Sequence, residues 1–554
     1  MKRQAYTIAS IVIIASLWAA CSAQRRGSTL DNASTGSTQI TSATLAAPIR
    51  FLASDLLEGR GPGTRGDLLA RLYIATQMQA LGLEPGGVDG SWEQPVPLLG
   101  VTGQLGPLGA AGTKSSLALT PSDDFVSFRF VSASETVSLG GEELVFAGYG
   151  IQAPEYQWDD YKDTDVRGKV VLLLYNDPDW DPALFAGKRR VYYGTPQYKI
   201  EAAARRGAKG IVLIHTRESA GWPWQVAQTS SAGEQSRLIE NTRPQTDVCL
   251  MVTEDSARRL AALGGHDLSQ LVAAAHSRDF APVRLNVTLR LRIENQLRRY
   301  ESANVVGILR GRDPQLRDES VVFTAHHDHL GLKPRPDGTL DIYNGAVDNA
   351  AGVAQLLAIA RAFTALRERP RRSIVFVTVT AEEQGLLGSE YFAVHPTLPS
   401  GHLVAEVNFD GGNVFGRTRD VSFVGGRKSS LYDLAAELAQ RQGRSVVDEL
   451  FPEDGAFYRS DQFSFARVGV PVLWARSGTD VIGRPPGWGK EQRLEFIAKR
   501  YHQPSDDFDP KWDLGGMVDD AQLAFAVGLD VDNADQPPAW LPGDEFAAAR
   551  RPKP

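Results

Sequence analysis

The sequence predicts an α/β protein, with a mainly parallel central sheet covered by helices on both faces and a smaller α/β unit inserted ahead of most of it. Three observations carry this prediction. From residue 304 onward, short apolar runs alternate with longer stretches of helical spacing. Runs such as Val321-Val-Phe323 lack the in-and-out alternation of a half-exposed strand, so both of their faces should be buried, as in a parallel sheet. Three of the runs also lead directly into histidine or carboxylate residues, and in open α/β sheets sites form beyond the carboxyl ends of the strands.

Taken in order, 1–23 reads as a signal peptide. Lys2 and Arg3 precede the apolar stretch 7–20, and Ala19-Ala20-Cys21-Ser22 is similar to a bacterial lipoprotein box, with Trp18 where Leu or Val is usual. The expected location is therefore exported, either periplasmic or anchored to the outer membrane through Cys21, or else secreted. Residues 24–45 are polar and Ser/Thr-rich, as a linker should be. Spacing in 47–82 is helical, broken by the turn-rich 58–63, and 115–146 holds short β-like runs. Strands are expected at 168–175 and 211–214, with a helix over 200–210 between them. Further strands are expected at 304–309, 320–325, 373–380, 403–409 and 470–475, and helices at 350–366, 429–442 and 461–467. The proline-bearing tail 536–554 should be loosely ordered.

Composition narrows the function. The 554 residues suffice for about three cores. A hydrophobic fraction of 42% and a charged fraction of 23% are ordinary for a soluble globular protein. A net charge of -7 argues against nucleic acid or an anionic membrane as partner, since both need a basic face. Beyond residue 25 no stretch approaches the roughly 18–20 apolar residues of a membrane span, which leaves a lipid anchor as the only membrane contact. With Cys21 lipidated, Cys249 has no disulfide partner within the chain; it lies in the apolar run 248–252 and reads as a buried hydrophobe.

The chemistry collects at the strand ends. The run 320–325 leads into His326-His327-Asp328-His329, 373–380 into Glu382-Glu383, and 403–409 into Asp410, while Asp348 stands just ahead of a helix. Each has an ordinary explanation alone: Asp348 as a helix N-cap, Glu382 and Glu383 at a helix start, Asp410 in a turn, the histidines as a surface feature. Their coincidence at strand ends weakens all of these. Several carboxylates and an imidazole suit two divalent cations with one carboxylate shared between them, whereas unneutralised acids in one cleft would repel. A further histidine is expected, and Tyr501-His502 supplies it. Ligand types alone permit zinc, manganese or cobalt.

The ordered motifs HHDHLG (326–331), VDNAAGVA (347–354), AEEQGLLGSEYF (381–392), NFDGGN (408–413), YRSDQFSF (458–465) and YHQPSDD (501–507) make the chain resemble the di-zinc peptidases of metallopeptidase family 28, of the aminopeptidase Y and bacterial leucyl aminopeptidase type. The resemblance implies a phosphorylase/hydrolase-like three-layer sandwich for 46–115 and 295–535. It also implies that the insertion 116–294 contains a protease-associated domain at about 145–290, signalled by VFAGYGIQAPEY and AAARRGAKGIVLIH. By motif, His326 and Asp410 would hold one Zn2+, Glu383 and His502 the other, and Asp348 would bridge them. Glu382 would be the general base acting on a metal-bridging water, Tyr501 would stabilise the oxyanion, and Asp328 would orient His326. Arg459, Ser460 and Asp461 match a substrate-pocket segment. If strand alternation continues, His327 and His329 face away from His326 and are packing or rim residues. His327 stands where the family often has tyrosine, and Gln384 where a third acidic residue is frequent. The implied activity is that of a zinc exopeptidase acting on peptides, an aminopeptidase first, with a carboxypeptidase or glutaminyl cyclase on the same scaffold as the second reading. A non-catalytic binding protein is disfavoured because every expected ligand is present.

Overall fold

The computed structural model describes residues 33–128, 132–240, 243–335, 337–398 and 402–550. The expected signal peptide, with Cys21, lies outside the described residues. Part of the expected linker does not: helix α1, Ser42–Leu52, starts within it, capped by the Thr41 hydroxyl, with Leu45, Ile49 and Leu52 buried on one face. A tight turn over Asp55–Arg60 leads to α2, Arg65–Ala80.

The strands that follow form one sheet. They are β1 (Glu93–Leu105), β2 (Thr136–Phe146), β3 (Val170–Leu174), β4 (Gly210–His215), β5 (Val248–Thr253), β6 (Val283–Leu309), β7 (Glu319–His326), β8 (Ser373–Val379), β9 (His402–Asn408) and β10 (Val472–Leu473). Their spatial order is β10–β9–β7–β8–β6–β2–β3–β4–β5, with β1 pairing alongside β6. Strands β10, β9, β7 and β8 run parallel, as do β2, β3, β4 and β5; β6 is antiparallel to both of its neighbours in this order, β8 and β2.

Alternation of side chains builds the layers. Val321, Phe323 and Ala325 of β7 point into one core and Val322 into the other, and Phe376 and Val375 of β8 divide the same way. In the inserted half, Leu172 and Val171 of β3 split between two further cores in the same manner. Continuous apolar runs are what two covered faces require. Strand β6 belongs to both halves. Its first part alternates buried and exposed residues, its middle is largely exposed, and Ala303–Leu309 is wholly buried; the expected domain boundary at 294/295 falls inside it.

The helices relevant to the site are α3 (Pro196–Arg205), α4 (Trp224–Ser231), α5 (Ala351–Thr364), α6 (Leu387–Val394), α7 (Ser430–Arg441), α8 (Gln462–Arg467), α9 (Trp488–Lys499) and α10 (Gly515–Asn533). The tail differs from expectation. Trp540 and Phe546 are buried in the core shared with Val322 and Val375, and the Trp540 indole donates to the Gly469 carbonyl at 2.9 Å. Two large apolar side chains outweigh the prolines there, because burying each contributes about 1.5–3 kcal/mol.

Candidate metal centre

The carboxyl ends of β7, β8 and β9 lie side by side, with His326 in register with Val379 and Thr324 with Asn408. This brings His326, Glu382, Glu383 and Asp410 to one edge. Asp348 stands between two imidazoles: its Oδ1 is 3.2 Å from His326 Nε2 and its Oδ2 is 3.2 Å from His502 Nε2. Asp410 Oδ1 lies 3.7 Å from His326 Nε2, and Glu383 Oε2 lies 3.1 Å from His502 Nε2. Glu382 forms no hydrogen bond or ion pair through its side chain with the described residues.

Backbone geometry places these groups. Ala381 takes φ 53 at the end of β8 and turns the chain so that Glu382 and Glu383 enter the cleft. His502 is likewise left-handed, at φ 56, a conformation that persists only where surroundings hold it. The peptide between Asp348 and Asn349 is cis. Gly345 sits at φ 57, where a Cβ would come within 2.6 Å of the His329 ring and 2.2 Å of the Asp348 carbonyl oxygen, so only glycine fits. The Asn349 amide donates to the Phe409 carbonyl at 2.8 Å and its Oδ1 accepts from Gly411 N at 2.9 Å, tying the Asp348 and Asp410 loops together. Asp506 accepts from the backbone N–H of Val347 and of Asp348, the latter at 3.0 Å. The buried Arg60 guanidinium donates to the carbonyls of Leu52, His327, Asn344 and Gly345, joining the first two motif loops to the N-terminal turn.

Asp328 supports two ligands. His326 Nδ1 donates to the Asp328 carbonyl at 3.2 Å, while the Asp328 carboxylate accepts from the backbone N–H of Glu382 at 3.1 Å and of Glu383 at 3.4 Å. Its side chain thus orients the glutamate pair, and its main chain orients the imidazole. Tyr501 borders the same cleft, and its hydroxyl accepts from Arg459 at 3.1 Å. Of the expected pocket segment only Arg459 lines the cleft. Ser460 is turned inward to accept from Asn408 at 2.8 Å, and Asp461 is fully buried. Helix α8 begins at the next residue and takes these two side chains into the core.

His329 is a correction. Its Nδ1 lies 2.7 Å from Glu383 Oε1, so it belongs to the centre and not to packing or rim. Strand β7 ends at His326, and period-two alternation has no hold on a residue beyond the strand. His327 does face away: its Nε2 pairs with Asp67 at 3.1 Å. Sequence reasoning also missed Ser230 on α4 of the insertion, whose hydroxyl is 3.0 Å from His502 Nδ1. With Nε2 turned to Asp348 and Glu383, Nδ1 carries the proton and donates it.

Electrostatics follow from burial among like charges. Burial pushes the Glu382 carboxyl well above its ordinary range, and Glu383, Asp410 and Asp461 add to this against His326. Burial alone would also raise Asp348, but pairing with His326 and His502 pulls it well below. Burial would lower the His502 imidazole, yet Glu383 and Asp348 lift it to about 9.

The donor set fits divalent cations. His326 Nε2 faces the carboxylates of Asp348 and Asp410, Glu383 Oε1 faces His329 Nδ1, and the ligand atoms of His326, Asp348 and Asp410 lie within 4.8 Å of one another, as do those of His329, Asp348 and Glu383. An open α/β sheet whose strand ends gather imidazoles and carboxylates beside a cleft has the architecture of a metal-dependent hydrolase. Residues 304–526 match the model of Peptidase family M28.

The fold is similar to that of an aminopeptidase from Aneurinibacillus sp. strain AM-1, with a TM-score of 0.52 and 18% identity over 89% of this chain and 95% of that one. Aminopeptidase NAALADL1 of Mus musculus is 36% identical over 109 residues, 19% of this chain and 13% of that protein. A "Probable zinc metalloprotease" of Pyrenophora teres f. teres is 44% identical over 110 residues, 19% of this chain and 22% of that protein. The matches thus span only a small part of these curated relatives. The expected periplasmic or outer-membrane location is overturned by fungal relatives named vacuolar membrane protease, among them one of Candida dubliniensis, 34% identical over 97 residues. The motif-bearing segment is indifferent to compartment, so it lends no support to an address read from residues 1–23. No helix among the described residues is long and apolar enough to cross a membrane.

Proposed function

We propose that the chain is a zinc-dependent exopeptidase, acting as an aminopeptidase with two zinc ions. The observation that carries this reading is the placement of Asp348, with one carboxylate oxygen toward each imidazole, beside a Glu382 left free of both. His326 and Asp410 would hold one ion, Glu383 and His502 the other, and Asp348 both. When bound, the two cations lower the pKa of the attacking water and polarise the scissile carbonyl.

The remaining steps belong to the chain. Glu382 takes the proton of the attacking water and delivers it to the leaving amine, a role suited to a carboxyl whose affinity for protons burial has raised. Because the Tyr501 hydroxyl already accepts from Arg459, its own proton is free to meet the developing oxyanion. Asp328 holds the Glu382 and Glu383 backbone in place while the proton moves.

Glu382→Gln tests the assignment: hydrolysis of aminoacyl-anilides should be nearly lost while zinc content and melting temperature stay. Full activity in that variant rejects Glu382 as the base. Comparing N-blocked with C-blocked peptides distinguishes aminopeptidase from carboxypeptidase.

A further inference from the structure

The cleft of about 820 Å³ beside the metal centre is lined by three arginines, Arg459, Arg476 and Arg493. None of them pairs with a carboxylate among the described residues. The buried Arg372 and Arg444 are neutralised within the fold, by Glu319 at 2.8 Å and Asp520 at 2.7 Å. Two of the three in the cleft rest on aromatic rings, and the third donates to a hydroxyl. Arg476 stacks 3.9 Å from the Trp474 ring, Arg493 sits 5.7 Å from that of Phe496, and Arg459 donates to the Tyr501 hydroxyl. A stacked guanidinium keeps its in-plane N–H donors for another partner, in the fork geometry that matches a carboxylate. Apart from the metal-centre acids, Asp454 is the one carboxylate on this wall, against three guanidiniums. Partly desolvated like charges with no directly paired carboxylate are costly, and such an arrangement is expected where a ligand completes it.

We propose that Arg459, Arg476 and Arg493 form a carboxylate-binding subsite, so that the favoured substrates are peptides with an anionic group close to the scissile bond. Two parts of a peptide offer that group: an acidic N-terminal side chain, or the free C-terminal carboxylate of a very short peptide. The proposal rests on the exopeptidase reading above and names its substrate class.

The test is kcat/KM of the zinc-loaded full chain on two matched pairs. One pair compares a glutamyl with a glutaminyl anilide, and the other leucyl-leucine with leucyl-leucinamide. At least a tenfold preference for the anionic member is expected in one pair, and the pair that shows it identifies the source of the carboxylate. In Arg476→Gln and Arg493→Gln that ratio should fall severalfold, chiefly through KM, with zinc content retained. Ratios within twofold in both pairs of the wild-type chain overturn the subsite, whether or not the variants fold, while leaving the exopeptidase reading intact. Hydrolysis of none of the four substrates overturns both.

Discussion

Each half of the molecule buries a cluster of charges, and the two clusters are balanced differently. In the inserted half, Lys199 and Arg190 lie among Asp160 and Asp177. The Lys199 ammonium donates to the Tyr149 and Asn176 carbonyls, while Asp160 accepts from Ile151 N and Asp177 from Val191 N, both at 2.9 Å. Burial lowers Lys199 to about 7 and raises Asp160 to about 7, yet two cations face two carboxylates and no outside ion is called for. In the half that holds the metal centre, the Asp348, Glu383 and Asp410 side chains form ion pairs only with imidazoles among the described residues, and Glu382 forms none. A buried polar cluster that offsets its own charge is a structural device; one left with excess negative charge is a place for cations.

The sharpest way to break this comparison is to neutralise one acid in the unbalanced cluster. Glu382→Gln is expected to lower kcat by about a thousandfold or more without lowering the melting temperature, because it removes a repelling charge. The matching change in the balanced cluster is Lys199→Met, which leaves Asp160 and Asp177 buried with one cation fewer. It should cost about 3–5 kcal/mol of stability, read from the denaturant midpoint, with kcat/KM of the folded protein within twofold of wild type. If Lys199→Met instead abolishes zinc binding, the two clusters are not separate devices. Smaller again is Ser230→Ala, where the halves touch: zinc affinity should fall about tenfold through loss of the His502 partner, measured by competition with a chelating dye. The smallest effect is reserved for an exposed pair, since Arg258→Ala breaks its contact with Glu254 and should cost at most about 0.5 kcal/mol.

What the sequence made legible was whatever is written locally. The strands from 304 onward declared themselves as apolar runs, and the ligands followed them directly because strand ends are where such sites form. What stayed hidden depends on distant parts of the chain meeting. His329 lies past the end of β7, where its backbone N–H donates to the Arg60 carbonyl and side-chain alternation no longer applies. Ser230 reaches His502 from a different domain-sized unit. Arg476 and Arg493 sit on a short strand and on α9, a helix with little amphipathic signal, and nothing near them in sequence announces a cleft. Burial and the neighbouring Arg493 push Arg476 down to about 10, a sign of crowding that only the folded arrangement shows.

The claim that the catalytic cluster is built for cations is tested most directly by counting zinc per chain after dialysis of the full-length protein against metal-free buffer. Two ions per wild-type chain, falling below one in Asp348→Asn, is the expected result, because Asp348 faces both imidazoles. A well-folded wild-type chain that retains no zinc and takes up none when it is supplied would contradict it.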